Sequence, residues 1–149
     1  MNLDYTVKSL VKGREYSFRY KAKNAYGWGD YSESARLLVA TEPAQPTASP
    51  SFIESSETDI RIGLQIDTIE NNGSQILEYS LELSDDDGVT FSVVNSYADT
   101  NAQEHVLNIV VDSLTLGSVY SFTYRARNAI GWGPYSAILT DVGFTSLPA

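Results

Sequence analysis

The amino-acid sequence predicts an all-β protein folded as an antiparallel β-sandwich. Apolar and polar residues alternate with a period of two through much of the chain, and no segment sustains the period of an amphipathic helix. Turn-forming residues separate the alternating runs, as in PAQPTASP (residues 43–50) and ENNGSQ (70–75). Several short strands divided by turn signals are typical of two packed antiparallel sheets.

The predicted strands in the middle of the chain each present one apolar face. Four segments supply them, namely DIRIGLQI, ILEYSLEL, VTFSVVNSY and HVLNIVVDSL. The residues of the first two segments that we expect on the buried face are Ile60, Ile62, Leu64, Ile66, Leu77, Tyr79, Leu81 and Leu83.

A near-duplicate segment determines the predicted domain organisation. GREYSFRYKAKNAYGWGDYS (residues 13–32) returns 104 residues later as GSVYSFTYRARNAIGWGPYS (117–136). Because this separation has the length of a whole domain, we expect a complete repeat in residues 42–149 and the back half of a preceding repeat in residues 1–41. Alternation puts the following side chains on the inner face of the two copies: Tyr16, Phe18, Tyr20 and Ala22, then Tyr120, Phe122, Tyr124 and Ala126.

The duplicated motif resembles strands E to G of fibronectin type III domains. The shared pattern is carried by Leu10, Gly13, Tyr16, Phe18, Tyr20, Ala22, Asn24, Gly27, Gly29 and Ser32, and again by Leu114, Gly117, Tyr120, Phe122, Tyr124, Ala126, Asn128, Gly131, Gly133 and Ser136. The resemblance implies an immunoglobulin-like sandwich of fibronectin type III type, with seven strands in residues 42–149 and strands E, F and G in residues 1–41. Where the family usually buries a tryptophan on strand B, this sequence offers Leu64 or Ile66.

The motif also contains the spacing of a tyrosine corner. Tyr16 follows Leu10 by six residues, and Tyr120 follows Leu114 by the same interval. In such a corner the tyrosine hydroxyl bonds to the preceding loop while the ring closes the edge of the sandwich. We therefore expect both tyrosines to have a structural role.

Both tryptophans lie at the predicted tip between strands F and G, and two interpretations remain open. In the first, cations on the outer face of strand F stack on rings of the returning chain, similar to the arginine–tryptophan arrangement of cytokine receptors. In the second, the exposed rings contact a partner protein. The residues concerned are Lys21, Lys23, Trp28 and Tyr31 in the first copy, and Arg125, Arg127, Trp132 and Tyr135 in the second.

Composition argues against several classes of function. The net charge of −9 argues against a nucleic-acid partner, and the lack of cysteine excludes disulfides and thiolate metal sites. The single histidine, His105, has no nucleophile at a recognisable spacing, so we expect neither enzyme activity nor a cofactor. No apolar run approaches the length of a membrane span, so we expect no membrane insertion by this segment.

Two further motifs have simple interpretations as turns. SDDDG (residues 84–88) lacks the ligand spacing of an EF-hand, so we expect a hairpin turn and no metal site. Asn72-Gly73-Ser74 is a glycosylation sequon that is usable only in a secreted chain. Asn-Gly is also a common turn dipeptide, which explains the motif without a glycan.

The charge is unevenly distributed along the chain. Residues 1–41 contain seven of the ten basic residues and four acids, whereas residues 42–103 contain one basic residue and twelve acids. Strands E, F and G alone would expose Tyr16, Phe18 and Tyr20 and would leave sheet edges open. We expect either that preceding residues of a longer array complete this half-repeat, or that another chain donates the missing strands. An acidic front half would complement the basic strand F.

These observations predict a structural or interaction module, a segment of a tandem fibronectin type III array that forms a semi-rigid rod or filament component. The alternatives are a receptor-type or adhesive ectodomain that binds a protein through the F–G loop aromatics, and a spacer beside a catalytic domain. Expected partners are other proteins, either neighbouring domains of this type or copies of this chain. The resemblance favours an extracellular or cell-surface location, and some such arrays occur on intracellular filaments and in cilia. TSLPA (145–149) echoes TEPA (41–44) and indicates a second repeat boundary.

Overall fold

The structure, a computed structural model, describes residues 3–98 and 100–144, so the predicted boundary at 145–149 lies outside the described residues. Within them the chain forms eleven strands and two short 3-10 helices, Ile66–Thr68 and Asn95–Tyr97. The strands are β1 (Glu15–Phe18), β2 (Lys23–Asn24), β3 (Gly27–Trp28), β4 (Ala35–Leu38), β5 (Ser51–Ser55), β6 (Asp59–Gly63), β7 (Ile76–Ser84), β8 (Ser92–Val93), β9 (Glu104–Asn108), β10 (Val119–Asn128) and β11 (Leu139–Gly143).

The last seven strands form the predicted sandwich. One sheet has the order β5-β6-β9 and the other the order β11-β10-β7-β8, and every pairing in them is antiparallel. The fold class is therefore confirmed as an antiparallel sandwich of immunoglobulin type. The two inner faces meet in a core whose fully buried members include Ile60, Ile62, Leu81, Leu107, Phe122 and Tyr124.

The predicted aliphatic replacement for the strand B tryptophan is also part of this core. Leu64 is 4% exposed and Ile66 is 6% exposed, so both side chains belong to the core, and not only one of the two. Leu64 continues the strand direction, since its amide donates to the carbonyl of Gln103. Ile66 reaches the core from the first turn of a 3-10 helix that ends the segment.

One prediction for the middle of the chain is wrong, and another holds only in part. Leu77 is 51% exposed, and Ile76 packs against the core in its place. The reason is an irregularity in the β10–β7 ladder between Arg127 and Asn128, because a bulge moves one residue to the opposite face. VTFSVVNSY forms only the two-residue strand β8. Of its apolar residues, Val94 and Tyr97 are buried in the core, Tyr97 from the 3-10 helix, whereas Val89 is 80% exposed.

Residues 3–41 adopt the same strand pattern without a second sheet over it. β1 pairs with β4, and β2 pairs with β3 in the tight return that carries Trp28. The inner face is open to solvent here, as expected for strands E, F and G alone: Tyr16 and Phe18 are only half-buried, Ala22 is exposed and Tyr20 is 77% exposed. No strand of the described residues covers this face, which is the physical reason for the exposure.

Candidate interaction surfaces

Both predicted tyrosine corners have the expected geometry. The Tyr120 hydroxyl accepts a hydrogen bond of 2.7 Å from the amide of Thr115, and the Tyr16 hydroxyl accepts one of 3.1 Å from the amide of Val11. Each corner follows a serine in the left-handed region, Ser113 with φ of 56° and Ser9 with φ of 62°. Sequence reasoning missed these serines, although serine recurs at the same place in both copies.

In the second copy, cations and rings interleave on the outer face of β10. The Arg125 guanidinium carbon lies 4.7 Å from the Trp132 ring centroid and 4.2 Å from that of Tyr135. Arg127 lies 5.7 Å from the Trp132 ring. Distances of this size allow cation–π attraction, so the geometry agrees with the ladder interpretation. The ladder's role remains a prediction.

Sequence reasoning missed two glutamates of β7 that neutralise this ladder. Glu82 is only 5% exposed, and it accepts a hydrogen bond of 2.9 Å from the Tyr135 hydroxyl and lies 3.6 Å from the Arg125 guanidinium. Glu78 accepts a hydrogen bond of 2.7 Å from Nε of Arg127. The polar face of ILEYSLEL, with acids at 78 and 82, was the available signal.

These contacts shift the pKa values of the groups that make them. The hydrogen bond from Arg127 holds the pKa of Glu78 below its ordinary value. Burial, followed by the hydrogen bond to Glu82, raises the pKa of Tyr135. The second copy therefore combines cation–π contacts with charge compensation from the neighbouring strand.

In the first copy the same contacts are made with lysine. Lys21 Nζ lies 4.6 Å from the Trp28 ring centroid and 4.7 Å from that of Tyr31, and Lys23 lies 5.6 Å from the Trp28 ring. Arg19, which the sequence did not single out, lies 3.7 Å from the Tyr31 ring. None of the ion pairs among the described residues involves these three cations.

The linker between the two repeats is held by hydrogen bonds to the sandwich that follows it. The amide of Thr41 donates to the carbonyl of Asn72, and the amide of Ala44 donates to that of Glu70. The buried side chain of Asn128 donates from Nδ2 to the carbonyl of Thr41, at 2.8 Å. Pro43 is fully buried. The linker is thus packed along much of its length.

The Asn-Gly turn of the sandwich also contacts the preceding copy. Lys12 Nζ donates to Oδ1 of Asn72, and the Gly13 amide bonds to Val39 beside it. A Cβ placed on Gly73 would lie 2.5 Å from the Gly13 nitrogen and 2.8 Å from the Val39 carbonyl oxygen. Only glycine fits at this position, because the neighbouring atoms belong to backbone.

The same geometry agrees with the turn interpretation of the Asn72 sequon. The Nδ2 atom that a glycan would occupy donates a 2.9 Å hydrogen bond to the carbonyl of Glu42. Asn72 has φ of 51° and Ser74 is buried, as expected for a turn inside an interface. The turn interpretation accounts for all of these contacts.

The acidic turn at residues 84–88 is closed by its own side chains. Asp86 accepts hydrogen bonds from the Ser84 hydroxyl and from the amide and hydroxyl of Thr90. These donors lower the pKa of Asp86 to about 2. Within the described residues, no three acidic or histidine side chains converge in an arrangement that could hold a metal ion.

His105 has a partner that the sequence did not suggest. Its Nε2 lies 2.8 Å from the Ser96 hydroxyl, and its ring packs nearly perpendicular to the Tyr97 ring, with 5.2 Å between the ring centroids. Burial lowers the pKa of His105.

Comparison with known proteins finds relatives that match nearly the whole of this chain. Fibronectin type-III domain-containing protein 3A of Pongo abelii is 29% identical over 146 residues, which cover 98% of this chain and 12% of that protein. Protein sidekick-1 of Homo sapiens is 30% identical over 152 residues, which cover 96% of this chain and 6% of that protein. The chain therefore spans only a small part of the length of its relatives. No family model matches the sequence.

Among solved structures, the twitchin kinase region from C. elegans has a TM-score of 0.57 and 18% sequence identity. The likeness covers 69% of this chain and 17% of that one, and at this identity it shows the fold alone. Among the described residues, none of the helices has the length and apolar character needed to cross a membrane.

Proposed function

The chain carries the fibronectin type III fold and resembles proteins named for that domain over nearly its whole length, and from this premise we propose that it is a non-enzymatic segment of a tandem array. Residues 1–41 would be the back half of one repeat and residues 42–149 the next complete repeat. The array would act as a structural and interaction module, in which sandwiches are held in line and offer loops and strand edges to other proteins. An extracellular or cell-surface array, or one on an intracellular filament or cilium, would use the same geometry.

One observation carries the semi-rigid part of this proposal, namely the packed linker. Hydrogen bonds from Thr41 and Ala44 to the 70–72 loop, and from Asn128 to Thr41, restrain successive linker residues. Gly73 meets backbone atoms of Gly13 and Val39 on the other side. Because both sides of the linker are held, rotation between the repeats would require breaking several hydrogen bonds together.

The test compares two glycine variants by residual dipolar couplings. In the unsubstituted chain, we expect residues 15–38 and 51–143 to share one alignment tensor. In Gly73→Ala, the new Cβ would meet backbone at 2.5 Å, so we expect the two parts to align separately. Gly88→Ala is the control, because Gly88 also has positive φ, of 81°, but its nearest contacts are side-chain atoms at 3.8 Å. Two different alignment tensors in the unsubstituted chain would contradict the proposed semi-rigid arrangement of the repeats.

A receptor-type or adhesive function is the second candidate, favoured by the exposure of the first F–G loop. Tyr26 is fully exposed and Trp28 is 60% exposed. Large exposed aromatic rings are frequent anchors in protein interfaces. In this function the partner would be a protein that receives these rings.

The variants Trp132→Ala and Trp28→Ala distinguish a structural role of the aromatic residues from a role as partner contacts. If the ladder is structural, Trp132→Ala lowers the free energy of unfolding by about 1–2 kcal/mol through lost packing and cation–π attraction. If the rings are contacts, binding to a candidate partner falls while the urea midpoint stays constant. An unchanged midpoint and unchanged binding in both variants would reject both roles.

A further inference from the structure

The first copy presents an open apolar face beside an open strand edge. Leu3 is 87% exposed, Tyr5 is 89% exposed and Tyr20 is 77% exposed. Together with Leu37 and other residues they line a groove of about 740 Å³. β1 pairs with β4 on one side only. Exposed apolar patches and unpaired edges of this kind mark surfaces that pair with another segment.

The second copy shows what covers the equivalent face. Shifted by 104 residues, Leu3 corresponds to Leu107 and Tyr20 to Tyr124, and both of these later residues are fully buried. β7 pairs with this edge of β10, in an antiparallel register that runs from Ser121–Ser84 to Asn128–Ile76. We call the second copy, whose β10 edge is paired with β7, the occupied copy, and the first copy the open copy. The occupied copy indicates the direction and the residue pattern of the missing strand.

The charges specify the outer face of that strand. In the occupied copy, Glu78 lies opposite Arg127 and Glu82 lies opposite Thr123, from where Glu82 reaches Arg125. The equivalent positions of the open copy are Lys23, Arg19 and Lys21, so three cations stand where the occupied copy has two. Their contacts to the rings leave the charge uncompensated among the described ion pairs. A strand with glutamates at these two positions would place a carboxylate opposite a cation twice.

We propose that the open edge of residues 15–24 is a docking site for an acidic antiparallel strand. Its aliphatic residues would enter the groove, and its two glutamates, four residues apart, would face Lys23 and Arg19. The strand would belong to a preceding stretch of the same polypeptide, folded like residues 42–103. This inference rests on the proposed assignment of residues 1–41 to a partial repeat.

The register and the pairing of the second copy favour a donor in the same polypeptide. In the second copy the pairing strand β7 precedes β10 in the same polypeptide. A second copy of this chain cannot donate its own β7 without losing a core strand, since β7 lies between β10 and β8. The curated relatives are also several times longer than this chain.

The test supplies that stretch. A fusion places a second copy of residues 42–104 in front of residues 1–149. We expect the amides of residues 15–24 to exchange about a hundredfold more slowly than in the unfused chain, because strand amides in a paired sheet exchange only through opening. In the control fusion, the added copy carries Glu78→Lys and Glu82→Lys, and we expect most of this protection to be lost. Protection of residues 119–128 in all three proteins reports that the complete sandwich remains folded.

Three results would overturn the proposal. No added protection in the first fusion would reject the docking site, and equal protection in both fusions would reject the acidic requirement. Protection of residues 15–24 in the unfused chain that rises with concentration would make a second copy the occupant. None of these results changes the alignment of residues 15–38 with 51–143, so failure here is distinguishable from failure of the semi-rigid array.

Discussion

The two copies of the motif share their local structure and differ in what covers them. Ser32 donates from its amide to the Tyr20 carbonyl at 2.7 Å, and Ser136 makes the equivalent bond to Tyr124 at 2.8 Å. Tyr20 is nevertheless 77% exposed, whereas Tyr124 is fully buried. The motif therefore determines the strand and its return, whereas burial depends on residues more than 40 positions away.

The largest expected difference between the copies concerns this tyrosine pair. Tyr124→Ala should lower the free energy of unfolding by about 3–5 kcal/mol, the usual cost of removing a buried aromatic ring. Tyr20→Ala should change it by less than about 0.5 kcal/mol, because an exposed ring loses little on truncation. Urea unfolding followed by circular dichroism measures both values.

A comparable loss in Tyr20→Ala would mean that the open face is already covered in solution. Light scattering of the same samples would then show an oligomer. Tyr26→Ala is the matched control, since Tyr26 is fully exposed and lies at the tip of the same return.

The sequence predicted the sandwich because its inner faces follow a strict period of two. Ile60 and Ile62 alternate with polar residues on β6, and Phe122 and Tyr124 do so on β10. Such alternation depends only on local geometry, so it can be read without knowing the partner strand. Leu77 departs from it because a bulge is a property of two paired strands, and the sequence of one strand does not encode it.

The sequence predicted the cations and rings of the ladder but not its glutamates. Arg125 and Trp132 belong to one hairpin, whereas Glu82 lies on a strand more than 40 residues away. Its burial follows from the β10–β7 register, which no local pattern fixes. The contact between Gly73 and Gly13 was missed for the same reason, since it joins segments 60 residues apart.

The tyrosine corners should show a smaller difference of the same sign. Tyr120→Phe removes the acceptor of the Thr115 amide in a part-buried corner, and losing such a hydrogen bond costs about 0.5–1.5 kcal/mol. Tyr16→Phe removes the acceptor of the Val11 amide at the exposed corner, where water replaces it at a cost below about 0.5 kcal/mol. Thermal unfolding of both variants measures the difference, and equal losses would show that the first corner is covered as well.

The smallest expected difference is in acid. Because Arg127 lowers the pKa of folded Glu78, this pair contributes stability above the ordinary glutamate pKa of about 4.3. That contribution disappears as the pH falls through the lower folded-state pKa. Glu78→Gln should therefore unfold at a slightly lower temperature than the unsubstituted chain at pH 7 and at nearly the same temperature at pH 2.

The open copy supplies the control for this pH dependence. Lys23 occupies the position of Arg127 but makes none of the ion pairs found among the described residues. Lys23→Met should leave the acid dependence of the melting temperature unchanged. If Lys23→Met flattened that dependence as Glu78→Gln does, a carboxylate would already face Lys23, and the two copies would differ less than their exposed surfaces indicate.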